Sequence, residues 1–553
     1  MSNLLLALRR SLNPLLLGIV HALCFAPGPL PGVILPYVQV ASLTGLAMCL
    51  LRTRRLREAA WQGWLFGLGS FCTGLYWLFI SLHTYGGLQA GLSVAAVLAL
   101  SGALALYYAL AAVFSRLCLA PVLNTHAGLL ATVCSALGWA SSWALFEWIR
   151  GTAFTGFPWL NAGYAHIDGP FAGWAPILGV YGLSWIAAFT AAGIAILLVA
   201  RRKQTTETTQ TALNEPGAAC SVALAIGLAL SGLALGQLKW AQPHGDPILF
   251  RLTQGNIPQS EKFDPALMQQ GMETYMRLAA EPPKNDQARP QIIVMPETVM
   301  ALFQNNYAPQ VWEYWQHIAA LQQAALIIGV PLHEMNADGE SRYTNSVVGM
   351  HTDSDLDALY EGQPSQRYDK HHLVPFGEFI PQGFRWFTNA LNIPLGDFNR
   401  GTVRQELFHI DSQHIALNIC YEDVFGEEIL HAVRDHPEHG DGASILLNVS
   451  NLGWFGDSWA LRQHLLISRM RALETARPML RATNTGMTAA IDPDGTVRAA
   501  LPAHTLAILD IEVQGTTGMT PYVRWGNKAV LLLTFIGFLA SLLAAWRGRG
   551  HKP

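Results

Sequence analysis

Long apolar runs dominate the first half of the chain and return near its C-terminal end. Runs of about 20 residues with few charges are long enough to cross a bilayer as helices. The stretch from Ala59 to Phe114 contains no Asp, Glu, Lys or Arg and has room for two spans joined by the turn HTYGG. The pattern predicts eight spans, near residues 12–31, 33–51, 60–81, 89–115, 125–147, 170–200, 218–237 and 529–546.

The first two predicted spans have unusual boundaries. Pro27, Pro29 and Pro31 interrupt them, which favours a tight hairpin or a re-entrant element. The first run follows a short basic segment, as in a signal peptide, but Leu23 precedes Cys24 where lipoprotein processing needs a small residue. Because further spans follow directly, we expect an uncleaved first helix.

The pattern changes between Gln242 and Thr520, where short β-branched runs alternate with longer amphipathic stretches. The runs PILFRLTQG, PQIIVMPE, AALIIGVP, HIALNICYE, ASILLNVSN, MTAAIDPDG and LAILDIEV are typical of strands. The stretches PALMQQGMETYMRLAAE and SWALRQHLLISRMRALETARP are typical of helices. Alternating strands and helices predict a layered α/β domain.

These patterns predict three parts of the chain. Residues 1–241 form transmembrane helices with about seven spans, and residues 242–520 form the α/β domain. Residues 521–553 form a C-terminal transmembrane helix and a cytoplasmic tail.

The composition fits a membrane protein, since 51% of the 553 residues are hydrophobic and only 13% are charged. The net charge of -3 and the lack of a basic tract predict no nucleic-acid partner.

The distribution of Lys and Arg predicts an orientation, because positively charged short loops stay in the cytoplasm. With eight spans, the opposite side holds little positive charge near the membrane beyond Arg150 and Lys239. We therefore expect both termini in the cytoplasm and the α/β domain outside it. The positive residues on the predicted cytoplasmic side are Arg9, Arg10, Arg52, Arg54, Arg55, Arg57, Arg116, Arg201, Arg202, Lys203, Arg547, Arg549 and Lys552.

Three reactive side chains stand out in the α/β domain. Glu297 follows the strand-like IIVMP, Lys370 lies in the loop QRYDKHHLVPFGEFIP, and Cys420 follows the strand-like IALNI. Of seven cysteines, Cys420 alone lies in the polar part of the sequence. A carboxylate can accept a thiol proton, an ammonium can stabilise a thiolate and an oxyanion, and a thiolate can attack a carbonyl. Taken singly, each has an ordinary explanation as a core cysteine, a surface carboxylate or a solvated lysine.

The ordered motifs MPET, YDKHHLVPFGEFIP, NICYEDVF and NVSNLGWFGDS resemble the nitrilase superfamily. With the flanking helices, GFPWLNAGY and TQGNIPQSEKFDP, the chain is similar over nearly its whole length to the apolipoprotein N-acyltransferase family. The resemblance implies an αββα sandwich and a catalytic triad of Glu297 as general base, Lys370 as oxyanion stabiliser and Cys420 as nucleophile. It implies supporting roles for Glu378, Tyr421 and Glu422. Phe263 stands where the family pattern has Trp, which leaves any stacking role there open.

The resemblance also implies the partners and the reaction. A fatty acyl chain would move from a phospholipid to the N-terminal amine of a lipoprotein that already carries diacylglyceryl-cysteine, through a thioester. The α/β domain would then be on the periplasmic side of a bacterial inner membrane. We expect no cofactor and no metal, although His371 and His372 are potential ligands, because the sequence has no H-E-x-x-H motif or cysteine pair.

Two other functions fit parts of the sequence. A membrane-tethered amidase would use the same three residues with water as acceptor, but a tether needs one helix rather than about eight. A membrane scaffold or transporter would not require the three reactive residues. Spans almost free of ionisable residues argue against ion transport.

Overall fold

The computed structural model describes residues 2–27, 30–119, 128–204, 215–283, 288–335, 338–383, 385, 397–435 and 441–549. The chain forms two compact units. One contains Met1–Tyr76, Gly91–Leu238 and Trp525–Pro553, and the other contains Trp77–Ala90 and Lys239–Arg524. Most of the loop predicted on the cytoplasmic side before the seventh span, residues 205–214, and the tail residues 550–553 lie outside the described residues.

All regular structure in the described residues of the first unit is helical. The described α-helices of the chain are α1 Ser2–Ala22, α2 Leu35–Leu51, α3 Leu56–Gly74, α4 Ala90–Cys118, α5 Leu129–Thr152, α6 Ala175–Gln204, α7 Glu215–Leu235, α8 Gln259–Lys262, α9 Met268–Ala280, α10 Pro309–Gln322, α11 Leu356–Tyr360, α12 Gly426–Val433, α13 Trp459–Thr475, α14 Pro521–Trp525 and α15 Lys528–Arg549. The first unit contains α1 to α7 and α15.

Eight helices therefore lie where the sequence predicts eight spans. Six stretches of the described chain are long and apolar enough to cross a membrane: Gly32–Leu51, Ala90–Cys118, Leu129–Thr152, Ala172–Arg201, Glu215–Leu235 and Lys528–Arg547. Helices α1 and α3 overlap the other two predicted spans, although α1 ends at Ala22 whereas its predicted span ends at residue 31, and as membrane spans both stay a prediction. The two pack closely, since a Cβ at Gly18 would lie 2.0 Å from the carbonyl oxygen of Phe66.

The third predicted span extends too far. Helix α3 ends at Gly74, and a π-helical turn follows at Ile80–Tyr85. The segment Trp77–Ala90 packs in the second unit, where Trp77 Nε1 donates to Gln463 Oε1 at 3.1 Å and Ser81 Oγ donates to Trp454 O at 2.8 Å. An apolar run looks the same in sequence whether lipid or protein covers it, so hydropathy could not place this boundary.

Two six-stranded mixed sheets form the centre of the second unit. Their order is β13-β2-β3-β4-β5-β6 and β12-β11-β10-β9-β8-β7, and β1 pairs with β14. The strands are β1 Gln242–Pro243, β2 Ile248–Gln254, β3 Ile292–Val294, β4 Ala325–Met335, β5 Ser341–Met350, β6 Gln366–Asp369, β7 Phe408–Ile410, β8 Gln413–Ile419, β9 Ile445–Ser450, β10 Met479–Thr483, β11 Ala489–Ile491, β12 Val497–Ala500, β13 Ala507–Val513 and β14 Thr516–Thr517.

Alternating side chains place these sheets face to face. Ile292 and Val294 of β3 pack with Leu417 of β8 in the layer between the sheets, whereas Ile293 packs with Trp315 on the opposite face. Helices α9 and α10 cover that outer face, and α12 and α13 cover the outer face of the second sheet. The prediction of a helical bundle with an αββα sandwich is therefore confirmed.

Candidate active site

The three predicted catalytic residues lie within three residues of strand ends. Glu297 follows β3, Lys370 follows β6 and Cys420 follows β8. Strand β6 is antiparallel to β5, and β5 is antiparallel to β4, so β6 runs in the same direction as β3 and β4. Glu297 and Lys370 therefore emerge at the same edge of the first sheet.

Two carboxylates share one buried ammonium in this site. Lys370 Nζ lies 3.1 Å from Glu297 Oε1 and 2.8 Å from Glu378 Oε1. The side chain of Lys370 is only 1% exposed. Asn345 Nδ2 donates to both carboxylates, at 2.9 Å to Glu297 and 2.7 Å to Glu378. The structure thus brings together Glu297, Lys370 and the predicted supporting residue Glu378.

The main chain around Glu297 packs tightly against strand β4. A Cβ at Gly329 on β4 would lie 2.4 Å from Pro296 O and 2.6 Å from Thr298 N, so the strand admits only glycine beside this turn. Thr298 has a φ of 54°, which turns the chain immediately after Glu297. The remaining carboxylate oxygen, Oε2, accepts the backbone N–H of Asn451 at 2.8 Å. Both oxygens of Glu297 are therefore bound by fixed donors.

Cys420 lies in a strained turn at the end of β8. Its φ is 53°, a left-handed conformation that few residues other than glycine adopt. Its carbonyl oxygen accepts from Asn448 Nδ2 and from His464 Nε2, each at 3.1 Å. These contacts fix the peptide that follows the thiol, so the side chain projects from a rigid strand end.

His464 belongs to a buried network behind this turn. Arg481 Nη2 lies 2.7 Å from His464 Nδ1, and a guanidinium can only donate. His464 Nδ1 is therefore the acceptor and the ring proton lies on Nε2, which faces Cys420 O and Asp423 Oδ1. The network supports the backbone of Cys420, and nothing in the sequence pattern indicated it.

Glu422 joins the cysteine turn to the lysine loop. Its Oε1 accepts the backbone N–H groups of His371 at 2.6 Å and His372 at 3.0 Å. Its Oε2 accepts from Ile419 N at 2.7 Å and from Tyr368 Oη at 3.0 Å. Because one carboxylate holds both segments, Glu422 sets the relative positions of Cys420 and Lys370.

The other predicted residues make structural contacts. The Tyr421 ring packs edge-on against Phe425, with ring centroids 5.1 Å apart. His371 Nδ1 lies 2.8 Å from Gly401 O, and His372 Nδ1 lies 2.8 Å from Glu428 Oε1. Within the described residues no group of three or more His, Cys, Asp or Glu side chains could hold a metal ion.

Burial and neighbouring charges set the protonation states. Burial raises the pKa of the Cys420 thiol well above its usual value, and Glu297 adds to this effect while Lys370 opposes it. Burial opposes ionisation of Glu297, but Lys370 and the Asn451 N–H together hold its pKa below the ordinary value. Burial favours a neutral Lys370, but Glu297 and Glu378 raise its pKa well above normal. Before reaction Cys420 is therefore a thiol, Glu297 a carboxylate and Lys370 an ammonium.

Glu422 has a different electrostatic setting. Burial raises its pKa to about 7, although the backbone N–H groups of Ile419 and His372 favour the charged form. Glu422 makes hydrogen bonds to backbone N–H groups and to Tyr368. Its interaction with Lys370 is electrostatic and does not involve a hydrogen bond.

This arrangement can perform nucleophilic chemistry on a carbonyl. An ionised carboxylate beside a thiol can accept its proton, and an ammonium between them can stabilise the thiolate and a developing oxyanion. The sequence did not indicate Asn345 and Asn451, which bind Glu297 from β5 and from the end of β9. The segment YTNSVV belongs to β5 and shows part of a strand pattern. Its first residues are polar, so the pattern was not recognised as a strand.

Comparison with known proteins agrees with the architecture. Residues 17–193 match the family model for the apolipoprotein N-acyltransferase N-terminal domain, and residues 252–522 match the carbon-nitrogen hydrolase model. With its paired sheets and its Glu, Lys and Cys at strand ends, the second unit defines a member of the nitrilase superfamily.

Full-length relatives identify the family more closely. The apolipoprotein N-acyltransferase of Bordetella bronchiseptica is 48% identical over 97% of this chain and 96% of its own. That of Ralstonia nicotianae is 44% identical over 95% and 92%, and that of Nitrosomonas europaea is 39% identical over 93% and 94%. The chain belongs to the apolipoprotein N-acyltransferase family. It is an acyltransferase and, with its apolar helices, a membrane protein.

Proposed function

We propose that Glu297, Lys370 and Cys420 transfer a fatty acyl chain from a phospholipid to the N-terminal amine of a diacylglyceryl-cysteine lipoprotein. The observation that carries this proposal is the buried Lys370 ammonium, 3.1 Å from the Glu297 carboxylate at the strand edge beside Cys420, in a chain of this family. The lipoprotein acceptor is inferred from the activity for which the relatives are named. The phospholipid donor follows from the membrane setting and from the ester chemistry that a thiolate can perform.

The first half-reaction forms a thioester on Cys420. Glu297 takes the thiol proton, and the sulfur attacks the carbonyl carbon of the phospholipid ester. Lys370 stabilises the tetrahedral oxyanion. The ester C–O bond then breaks, the departing alkoxide takes the proton from Glu297, and a lysophospholipid leaves.

The second half-reaction transfers the acyl chain. The N-terminal amine of the acceptor attacks the thioester carbonyl, and Glu297 removes a proton from that nitrogen. The C–S bond breaks, an amide forms, and Cys420 recovers its proton. Because the two substrates react in separate steps at one sulfur, we expect ping-pong kinetics.

Intact-mass measurement tests the covalent step. The purified protein is incubated in micelles of phosphatidylethanolamine and phosphatidylglycerol with deuterated acyl chains, without acceptor. We expect the mass of one acyl chain, removable by neutral hydroxylamine, and no addition in Cys420→Ala. Wild-type protein that never gains this mass, yet transfers when both substrates are present, would show direct transfer instead.

We further propose that residues 242–520 are periplasmic at a bacterial inner membrane, with both termini cytoplasmic. The Lys and Arg distribution supports this orientation. Reporter fusions at Lys203 and Ser260 should report opposite sides of the membrane, and the same side for both would overturn it. The amidase alternative has weaker support, because relatives named as acyltransferases match more than 90% of this chain.

A further inference from the structure

A second lysine lies buried beside the proposed general base. Lys262, the last residue of α8, is 7% exposed, and its Nζ donates to the backbone carbonyl oxygen of Glu297 at 2.9 Å. Lysine side chains usually extend to solvent, so a buried one with a single backbone acceptor needs a reason. The mechanism above does not use this residue, although it lies in the motif TQGNIPQSEKFDP.

Gln259, at the other end of α8, supports Glu297 indirectly through Asn451. Gln259 Oε1 accepts from Asn451 Nδ2 at 2.9 Å, and the backbone N–H of Asn451 donates to Glu297 Oε2 at 2.8 Å. Thus α8 binds the main chain of Glu297 through Lys262, and through Gln259 it binds the residue that holds one carboxylate oxygen.

The cluster of Glu297, Glu378 and Lys370, taken without Glu422, balances in charge when Lys262 is added. Glu297 and Glu378 contribute two negative charges, and Lys370 contributes one positive charge. A buried site with an uncompensated charge is unfavourable, and Lys262 supplies the missing positive charge. Transfer of the thiol proton to Glu297 leaves this balance unchanged, because Cys420 gains the negative charge that Glu297 loses.

We propose that Lys262 is a positioning residue for acyl transfer, which holds Glu297 through its carbonyl oxygen and supplies the second positive charge of the site. This inference rests on the proposed role of Cys420 as nucleophile. Burial lowers the pKa of Lys262 to about 8, although Glu297 and Cys420 favour the charged form. The titratable groups that act on it are Glu297 and Cys420, which belong to the same cluster as Lys370 and Glu378, while Glu261 and Asp264 near it in sequence are exposed.

Alkylation of Cys420 tests the charge without requiring lipid substrates. The full-length protein in detergent is treated with iodoacetamide between pH 6 and 10, and the Cys420 peptide is quantified by mass spectrometry. Lys262→Gln removes the charge and keeps a donor, Lys262→Met removes both, and Lys239→Gln removes an exposed charge as a control. An opposite charge nearby favours the thiolate, and Lys262 is charged below its pKa of about 8, so below that pH both Lys262 variants should be alkylated about tenfold more slowly than wild type.

Transfer measurements test the positioning role. At one pH below 8, Lys262→Met should transfer at least about tenfold more slowly than Lys262→Gln, because both variants lack the charge and only Met abolishes the bond to Glu297. A wild-type alkylation profile in Lys262→Gln overturns the charge role, and wild-type transfer in Lys262→Met overturns the positioning role. If wild-type protein forms no acyl-enzyme, the proposed function fails while the alkylation profile still decides the role of Lys262.

Discussion

The helical unit and the sandwich each bury charged residues, but their partners differ. On α5, Glu147 and Arg150 are at most 1% exposed. Arg150 donates to Phe157 O at 2.7 Å, to Trp159 O at 2.5 Å and to Asn161 Oδ1 at 2.6 Å. Glu147 Oε1 accepts from Trp143 Nε1 and Ala162 N, each at 3.0 Å. In the sandwich, by contrast, Lys370 binds two carboxylates beside a thiol.

This difference separates two uses of buried charge. The Arg150 contacts given above end on one loop, GFPWLNAGY, so the charge fixes the path of that loop. The charges around Cys420 bind one another and shift the protonation of a nucleophile. Arg150 was counted from the sequence as a positive charge near a span end, and the structure places it inside the unit instead. Burial alone therefore does not identify a reactive site, and the kind of partner does.

Removing the nucleophile gives the largest expected effect on function. Cys420→Ala should reduce acyl transfer at least about 1000-fold while shifting the unfolding temperature by no more than about 2 °C. Transfer of a labelled acyl chain to a synthetic diacylglyceryl lipopeptide measures the loss. Near-normal transfer would exclude Cys420 as nucleophile.

Removing the buried Arg150 should instead reduce the stability of the protein more than its transfer activity. Arg150→Met leaves carbonyl groups and Asn161 without their donor and should lower the free energy of unfolding by roughly 3 to 5 kcal/mol. The exposed Arg201→Met serves as control and should change it by about 0.5 kcal/mol or less. Denaturant titration measures both. If Arg150→Met is stable but loses transfer, the division between the two clusters is wrong.

The members of the catalytic cluster should act as one unit. Glu297→Gln and Lys370→Ala should each abolish detectable transfer, and the double variant should resemble the single variants. Transfer kinetics with the same lipopeptide provide the measurement. Losses that multiply would show that the two residues act independently.

Glu297 should also affect the thiol through its charge. Its carboxylate raises the pKa of Cys420, so Glu297→Gln should lower the apparent pKa by about one unit even though transfer is lost. Alkylation rates against pH measure this shift. Glu147→Gln should leave the profile unchanged, and a shift in that variant would mean that the helical cluster also tunes the nucleophile.

The smallest effect is expected outside both clusters. The half-buried ring of Phe263 lies 6.3 Å from that of Trp454, at a tilt of 31°. Phe263→Trp enlarges the ring without adding a charge and should change KM by less than about threefold. A larger change, in either direction, would indicate that this ring contacts substrate.

The sequence indicated the candidate site residues better than their supports. Glu297 and Cys420 follow apolar strand-like runs and Lys370 was singled out in a loop, while their roles came from the family resemblance and stay a prediction. Asn345 was missed because β5 begins with polar residues. Helix α10 was missed although Trp312, Trp315 and Ala319 repeat at helical spacing after Pro309, a signal that was present in the sequence.

Long-range contacts explain the other omissions. Strand β6 is four residues long, too short for a periodic pattern, and pairing with β5 defines it. The left-handed turn at Cys420 depends on Asn448 and His464, which lie far along the chain. Lys262 lies in the motif TQGNIPQSEKFDP, but its burial was not expected, because a lysine in the run QSEKF looks like a solvated one. These features arise from tertiary packing and cannot be read from neighbouring residues.

The packing of Trp77–Ala90 in the sandwich unit has a consequence for protein engineering. The ring of Trp77 lies 4.5 Å from that of Phe455, and its indole binds Gln463. A recombinant fragment that begins at Lys239 would lack this segment, which is encoded between two helices of the other unit. A soluble version of the catalytic domain, or a chimera between relatives, should therefore include Trp77–Ala90 through a circular permutation or a designed linker.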